Sequence, residues 1–230
     1  LLMEHPQHGP TKHTTRPIVT GASVLACKYA GGVMMLADTL GSYGSLARFK
    51  NLDRIRAVNN ETLIGGGGEY SDFQFINELL EELTIEDYEW DDGATLGARE
   101  IHSYLSRVMY NRRSKMDPLW NQVIVAGVRE EQSFLGTVDL YGSAFEGDVL
   151  ATGYGNYMAI PLMRKKWRAD MTEEEAKAML EECMTVLFYR DCRTINKFKL
   201  GKITADGPSV SEPYSLPTRW DLRAFVAGVQ

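Results

Sequence analysis

Two apolar runs within residues 23–38, SVLACKY and VMMLAD, are separated only by Ala30, Gly31 and Gly32. The residues alternate along the first run and a glycine pair breaks the chain, a pattern that predicts a β-hairpin, because strand side chains point to opposite faces in turn. The pattern returns over residues 54–65, RIRAVNNETLIG, with Asn59 and Asn60 at the turn. Two consecutive hairpins predict an antiparallel sheet.

The period then changes. In EYSDFQFINELLEEL, Phe73, Ile76, Leu80 and Leu83 recur at helical spacing, with Glu81 and Glu82 on the outside. LGAREIHSYLSRVMYNRRSK repeats this with Ile101, Tyr104, Leu105, Val108 and Met109. The intervening TIEDYEWDDGAT reads as an acidic connection, and the stretch from Glu81 to Asp92 as a solvated loop or subunit contact. QVIVAGV, SFLGTVDLYG and SAFEG read as three further strands, and a third helix is expected after ATGYG. A fourth helix is the best specified: Thr172 and Glu175 have the spacing of a capping box, and Ala176, Leu180, Cys183, Met184, Leu187 and Phe188 form one stripe. NKFKLGKITADG and PSVSEPY predict a last hairpin. The element order ββββ, αα, βββ, αα, ββ predicts an α+β fold of two stacked antiparallel sheets with helix pairs on both faces.

Residues 1–13, LLMEHPQHGPTKH, lack periodicity and are expected to be a leader; residues 14–214 form one domain, and residues 215–230 a tail. Composition narrows the function. With 230 residues, a formal net charge of -6 and 24% charged residues, the chain has neither the net positive field nor the basic patch of a general nucleic-acid or anionic-membrane binder. No run reaches the length of a membrane span and no signal-type apolar core opens the chain. Three cysteines, Cys27 and Cys183 on apolar stretches, fit buried free thiols in a reducing compartment, which places the chain in the cytoplasm or nucleus.

Five stretches, KYAGGVMMLAD, GSYGSLARFKNLDRI, GGGGEYSDF, ATGYG and LFYRDCRT, stand in an order and spacing that resembles the β-type subunits of the 20S proteasome. The resemblance covers nearly all of residues 14–214. RPIVTGASVL, MYNRRSKMDPLWN and LFYRD are most similar to the non-catalytic seventh β class. The resemblance implies a four-layer αββα sandwich, the N-terminal-nucleophile hydrolase fold.

Active members of that family begin, after self-cleavage behind a glycine, with a threonine whose amine activates its own hydroxyl, and an aspartate and a lysine complete the site. The matching positions here are Gly21, Ala22, Asp38 and Arg54. A methyl group cannot attack a carbonyl, so peptide hydrolysis at this site, and self-cleavage between Gly21 and Ala22, are excluded. Residues before Ala22 are therefore expected to stay attached, with a backbone amide where the amine would be. Arginine in place of lysine substitutes a planar, permanently charged fork for a tunable amine. Asp38 and Arg54 are expected to form a structural ion pair; the alternative is an Arg54 turned to solvent. Of the supporting positions, Tyr154 departs from the family's serine, while Asp191 and Thr194 are conservative and are expected to hold their loop. Gly68 matches the glycine whose amide faces the oxyanion in active relatives, but a turn and close packing account for Gly65 to Gly68 more simply. A phosphate cradle is excluded, because no Gly-Lys-Ser/Thr follows and Glu69 and Asp72 would repel an anion.

Ser23 is the one candidate for a replacement nucleophile, after trimming in trans, and strand alternation would turn it away from Asp38 and Arg54. His5, His8 and His13 read as solvated rather than metal-ligating, and no cofactor is implied. His102 reads as a satisfied, half-buried histidine. Arg107, Arg112, Arg113 and Lys115 form a basic helix end that suits the helix dipole or an acidic neighbour.

The function implied is a catalytically silent β subunit that supports ring assembly. Its partners would be the other α- and β-type subunits, with two copies in a particle of about 28 chains, and regulatory particles indirectly; neither nucleic acid nor membrane is expected. Resemblance to the seventh class implies that the tail PYSLPTRWDLRAFVAGVQ clamps between subunits of the opposite ring. Trp220, Leu222, Phe225 and Val226 are large apolar residues that a docked tail would carry, the alternative being a tail folded back on its own domain. Cleavage by a catalytic neighbour is expected at His13/Thr14. Two other readings stay open: an active hydrolase using Ser23, and a sandwich-fold binding protein unrelated to proteolysis.

Overall fold

A computed structural model describes residues 16–221. The chain opens with β1 (Val19–Gly21), β2 (Val24–Tyr29), β3 (Gly32–Asp38), β4 (Gly41–Tyr43), β5 (Leu46–Phe49), β6 (Ile55–Asn59) and β7 (Thr62–Glu69). It continues through helices α1 (Tyr70–Trp90) and α2 (Ala98–Ser114), then β8 (Asn121–Arg129), β9 (Gln132–Val138), β10 (Ala144–Glu146) and β11 (Val149–Ala151). Helices α3 (Gly155–Met158), α4 (Ile160–Lys166) and α5 (Glu173–Arg190) lead to the final hairpin, β12 (Phe198–Thr204) and β13 (Gly207–Val210).

The strands form two antiparallel sheets, one in the order β10-β9-β8-β7-β1-β4-β5 with β6 also on β7, the other β11-β2-β3-β12-β13. The two predicted opening hairpins therefore belong to different sheets. Strand alternation explains the layering. From β2 and β3, Leu25, Cys27, Met34 and Leu36 join Ala176, Leu180, Cys183 and Leu187 of α5, while Val24, Ala26, Val33, Met35 and Ala37 meet Leu63, Ile124, Ala126 and Leu135 between the sheets. Ile64, Val123, Val125 and Val138 face the other way, onto Phe73, Ile76, Ile101, Leu105 and Met109 of α1 and α2. The result is helix, sheet, sheet, helix, as expected.

Several expectations are corrected. The acidic segment after Leu83 is helical as far as Trp90, because no glycine or proline interrupts it before Gly93 and Asp91 caps it in the left-handed conformation. The third helix is two short ones meeting at Ala159, with Pro161 placed early in α4 where its missing N–H leaves no bond unmade. Strands β1, β4, β5 and β11 were not read from the sequence. Each has only three or four residues, too few for periodicity to register. The capping box of Thr172 and Glu175 forms as predicted, with bonds of 3.0 and 3.3 Å.

Candidate functional site

β1 lies in the larger sheet and β2 in the smaller, so Ala22 and Ser23, between them, carry the chain from one sheet to the other. They line a cleft of about 310 Å³ whose walls include Gly68, Asn121, Tyr154, Asp191 and Arg193. Upstream, β1 is paired on both edges: Gly21 stands opposite Gly68 and Thr20 opposite Glu69 on β7, while Thr20 and Val19 stand opposite Ser42 and Tyr43 on β4. The segment before Ala22 is therefore a built strand.

Beneath the crossover, Arg54 (2% exposed) and Asp38 (1% exposed) are buried together. The guanidinium donates to the Asp38 carboxylate from Nη2 and to the Asp38 carbonyl from Nε at 2.9 Å. It also donates to the carbonyls of Ala22 at 2.7 Å and Ser23 at 3.2 Å. The expected ion pair thus exists, and a solvent-facing Arg54 is excluded. The fork also holds the crossover backbone, because its donors diverge in one plane and reach acceptors that a lysine ammonium cannot reach together. Burial pushes the Asp38 carboxyl up, against the pull of Arg54 and of the backbone N–H groups of Ile195 and Leu40. A Cβ at Gly21 would lie 2.5 Å from Arg54 Cδ, so the glycine makes room for the larger cation.

Ser23 is 3% exposed. Its hydroxyl accepts the Gly155 N–H at 2.9 Å. The group bonded to that oxygen is a backbone N–H, a donor that cannot take the hydroxyl proton. The four glycines are packing glycines. Cβ atoms at Gly65, Gly66 and Gly67 would strike Val24, the Phe73 ring and Thr152, and Gly68 adopts φ +97° with Trp120 O 2.1 Å from where its Cβ would be. Glu69 does not merely discourage an anion at the α1 N-terminus. Its carboxylate occupies that end, accepting the Asp72 N–H at 2.9 Å.

A family model described as proteasome subunit matches residues 18–203. Proteasome subunit beta type-4 of Arabidopsis thaliana is 50% identical over 215 residues, covering 94% of this chain and 87% of that protein. Its Xenopus laevis namesake is 45% identical over 227 residues, covering 98% and 94%. Proteasome subunit beta type-7 of Saccharomyces cerevisiae is 44% identical over 204 residues, covering 84% and 77%. The chain belongs to the proteasome β-subunit family.

In this proteasome subunit the remaining candidate positions divide. Asp191 is buried at the end of α5, and its carboxylate accepts the Arg193 N–H at 2.9 Å; Thr194 donates its N–H to the Asp191 carbonyl at 3.3 Å, so both shape their loop. Tyr154 is exposed on the cleft wall at the start of α3. His102 is more buried than expected and is satisfied, with Nε2 3.1 Å from the Thr137 carbonyl and its ring edge-on to Phe134. At the basic end of α2, Arg112 pairs with Asp117 at 2.9 Å. Trp220 packs on Tyr189 and Phe188 of its own chain while remaining 51% exposed. His5, His8, His13, Thr14, Leu222, Phe225 and Val226 lie outside the described residues.

Sequence reasoning missed three contributors: Thr152, whose hydroxyl accepts the Val24 N–H at 2.8 Å, Ile195, whose N–H donates to Asp38, and Asn121, which donates to the carbonyls of Gly67 and Glu69. Each acts across a long sequence separation, and no local pattern marks it. β1 did carry a signal, the β-branched run Ile18, Val19, Thr20.

Proposed function

We propose that this chain is a non-catalytic, structural β subunit of the 20S core particle, contributing to ring assembly and so to the ubiquitin- and ATP-dependent protein degradation carried out by the complex. The observation that carries this reading is Ala22 itself, a methyl group at the family's nucleophile position, set at the end of β1, a strand paired on both edges. Ala22 offers no hydroxyl, self-cleavage behind Gly21 would need that same hydroxyl, and the space between β7 and β4 is filled by β1. Arg54 supports the same reading, since a fixed cation bonded to Asp38 and to two backbone carbonyls has a scaffolding role and no proton to exchange. Its partners are the other α- and β-type subunits, in keeping with the names of its relatives. Residues 1–13 are a leader removed by a catalytic neighbour at His13/Thr14, residues 14–214 the domain and residues 215–230 a tail that contacts the opposite ring. The setting is cytoplasm and nucleus.

The test is the intact mass and N-terminal sequence of this subunit isolated from assembled particles, together with labelling by an electrophile that traps N-terminal nucleophiles. An N-terminus upstream of Val19 and no label on this chain are expected. A chain starting at Ser23, or label on Ser23, would overturn the proposal.

A further inference from the structure

We propose that Asn196 is a positioning residue that sets where the C-terminal tail leaves the domain, so that the chain beyond Asp221 reaches a neighbouring subunit from a defined origin. After β13 the chain turns back along β12, and Tyr214 exchanges backbone bonds with Phe198, at 2.7 and 2.9 Å. Past that bridge the backbone pairing stops among the described residues, and a side chain takes over. The Asn196 amide donates from Nδ2 to the Leu216 carbonyl at 2.9 Å and accepts the Leu216 N–H on Oδ1 at 2.8 Å. Asparagine alone among small side chains carries a donor and an acceptor side by side in one plane, so it imitates one rung of a β ladder. The Asn196 backbone carbonyl meanwhile accepts the Ser215 hydroxyl at 2.8 Å.

Two more anchors follow. The Arg219 N–H donates to the Tyr189 hydroxyl at 2.6 Å, and Trp220 stands edge-on to Tyr189 and Phe188 with ring centroids 4.9 and 5.9 Å away. Pro217 follows the clasped residue directly and keeps its backbone out of the helical region. Of residues 215–221 only Leu216 is buried; Ser215, Pro217, Arg219 and Trp220 are exposed. A segment that buries so little, yet makes a closed pair of directional bonds, is held in place rather than packed. The clasp is also referenced to the buried ion pair, because Ile195, next to Asn196, donates its N–H to Asp38 Oδ2 at 3.3 Å. An arm ordered before it meets its partner loses less entropy on docking, so the clasp raises the affinity of whatever contact the tail makes.

The inference rests on reading the tail as a subunit contact, and the experiment separates the two ideas. Wild type, Asn196→Ala, Asn196→Asp and a chain lacking residues 222–230 are compared. Amide exchange at Leu216 and Arg219 is measured relative to Leu36, and each tagged chain competes with untagged wild type for incorporation into particles. In Asn196→Ala the two tail amides exchange roughly tenfold faster or more while Leu36 is unchanged, and incorporation falls at least about threefold. Asn196→Asp is intermediate near neutral pH, because it accepts the Leu216 N–H but cannot donate. Its relative protection recovers as the carboxyl protonates, a pH dependence that simple loss of packing would not produce. Unchanged amide protection in Asn196→Ala overturns the clasp. Freed amides with undiminished incorporation overturn its orienting role. If the chain lacking residues 222–230 incorporates like wild type, the subunit-contact reading fails and the orienting role with it, while the exchange data still decide the clasp.

Discussion

The buried pair of Asp38 and Arg54 is a structural element because its fork bonds backbone as well as carboxylate. Four of its bonds run to the crossover and to β3, so removing the cation would strand a buried carboxylate and leave the carbonyls of Ala22 and Ser23 with fewer donors. Breaking a buried pair from one side costs about 3–5 kcal/mol. Asn replacing Asp38, or Met replacing Arg54, is therefore expected to lower the free energy of unfolding by that amount, with Arg54→Lys between these and wild type. Equilibrium unfolding checks this, and a Met variant as stable as wild type would show that the fork holds nothing. Reading the residue scale from sequence succeeded where chemistry is local to a side chain: Ala22 cannot be a nucleophile whatever surrounds it. It is silent on the contacts Trp220 makes within its own chain, because Phe188 and Tyr189 lie thirty or so positions earlier and meet it only through how α5 ends beside the tail.

Among elements, β1 has the largest role for its length. It joins the hairpin of β4 and β5 to β7, and the described strand pairings offer that hairpin no other route into its sheet. A chain made to begin at Ala22 is expected to lose amide protection in β4 and β5 while β12 and α5 keep theirs. Hydrogen exchange reads this directly, and unchanged protection in β4 would mean that β1 is dispensable. The turn between β8 and β9 supplies a second expectation. Glu130 and Glu131 both adopt positive φ, 51° and 63°, the geometry for which Asn-Gly is favoured. Replacing the pair by Asn-Gly is expected to stabilise the protein by about 1 kcal/mol, visible as a raised thermal midpoint. The long helices α1, α2 and α5 were legible because an amphipathic stripe repeats over many turns. The end of α1 was not, because acidic residues suit a solvated helix as well as a solvated loop and only the absence of a breaker decides.

For the whole molecule, two layers of apolar contact on either side of a central one hold titratable groups as well as hydrocarbon. Burial pushes Cys27 up to about 12 and, with Glu173 and Cys27 nearby, Tyr29 up to about 12. Burial, with Glu182, pushes Cys183 up to about 11. These groups keep their protons in the folded state at a pH where the unfolded chain has lost them, so the stability they contribute is complete below about 9 and is lost as pH rises from there toward 12. Unfolding measured across that range should show falling stability, and a flat profile would contradict the burial. At pH 8 the same burial predicts that a thiol reagent modifies the exposed Cys192 of the native chain first, with Cys27 and Cys183 reacting only on unfolding. Periodicity and element order, which are local, were enough to read the four layers from sequence, and the family resemblance pointed to Ala22, Asp38 and Arg54 as the site positions. The tertiary structure alone decided which sheet each hairpin joins, that the residues before Ala22 form a strand between β7 and β4, and that Asn196 clasps Leu216. Those are pairings between distant segments, and a backbone N–H carries no mark in the sequence of the carbonyl it will meet.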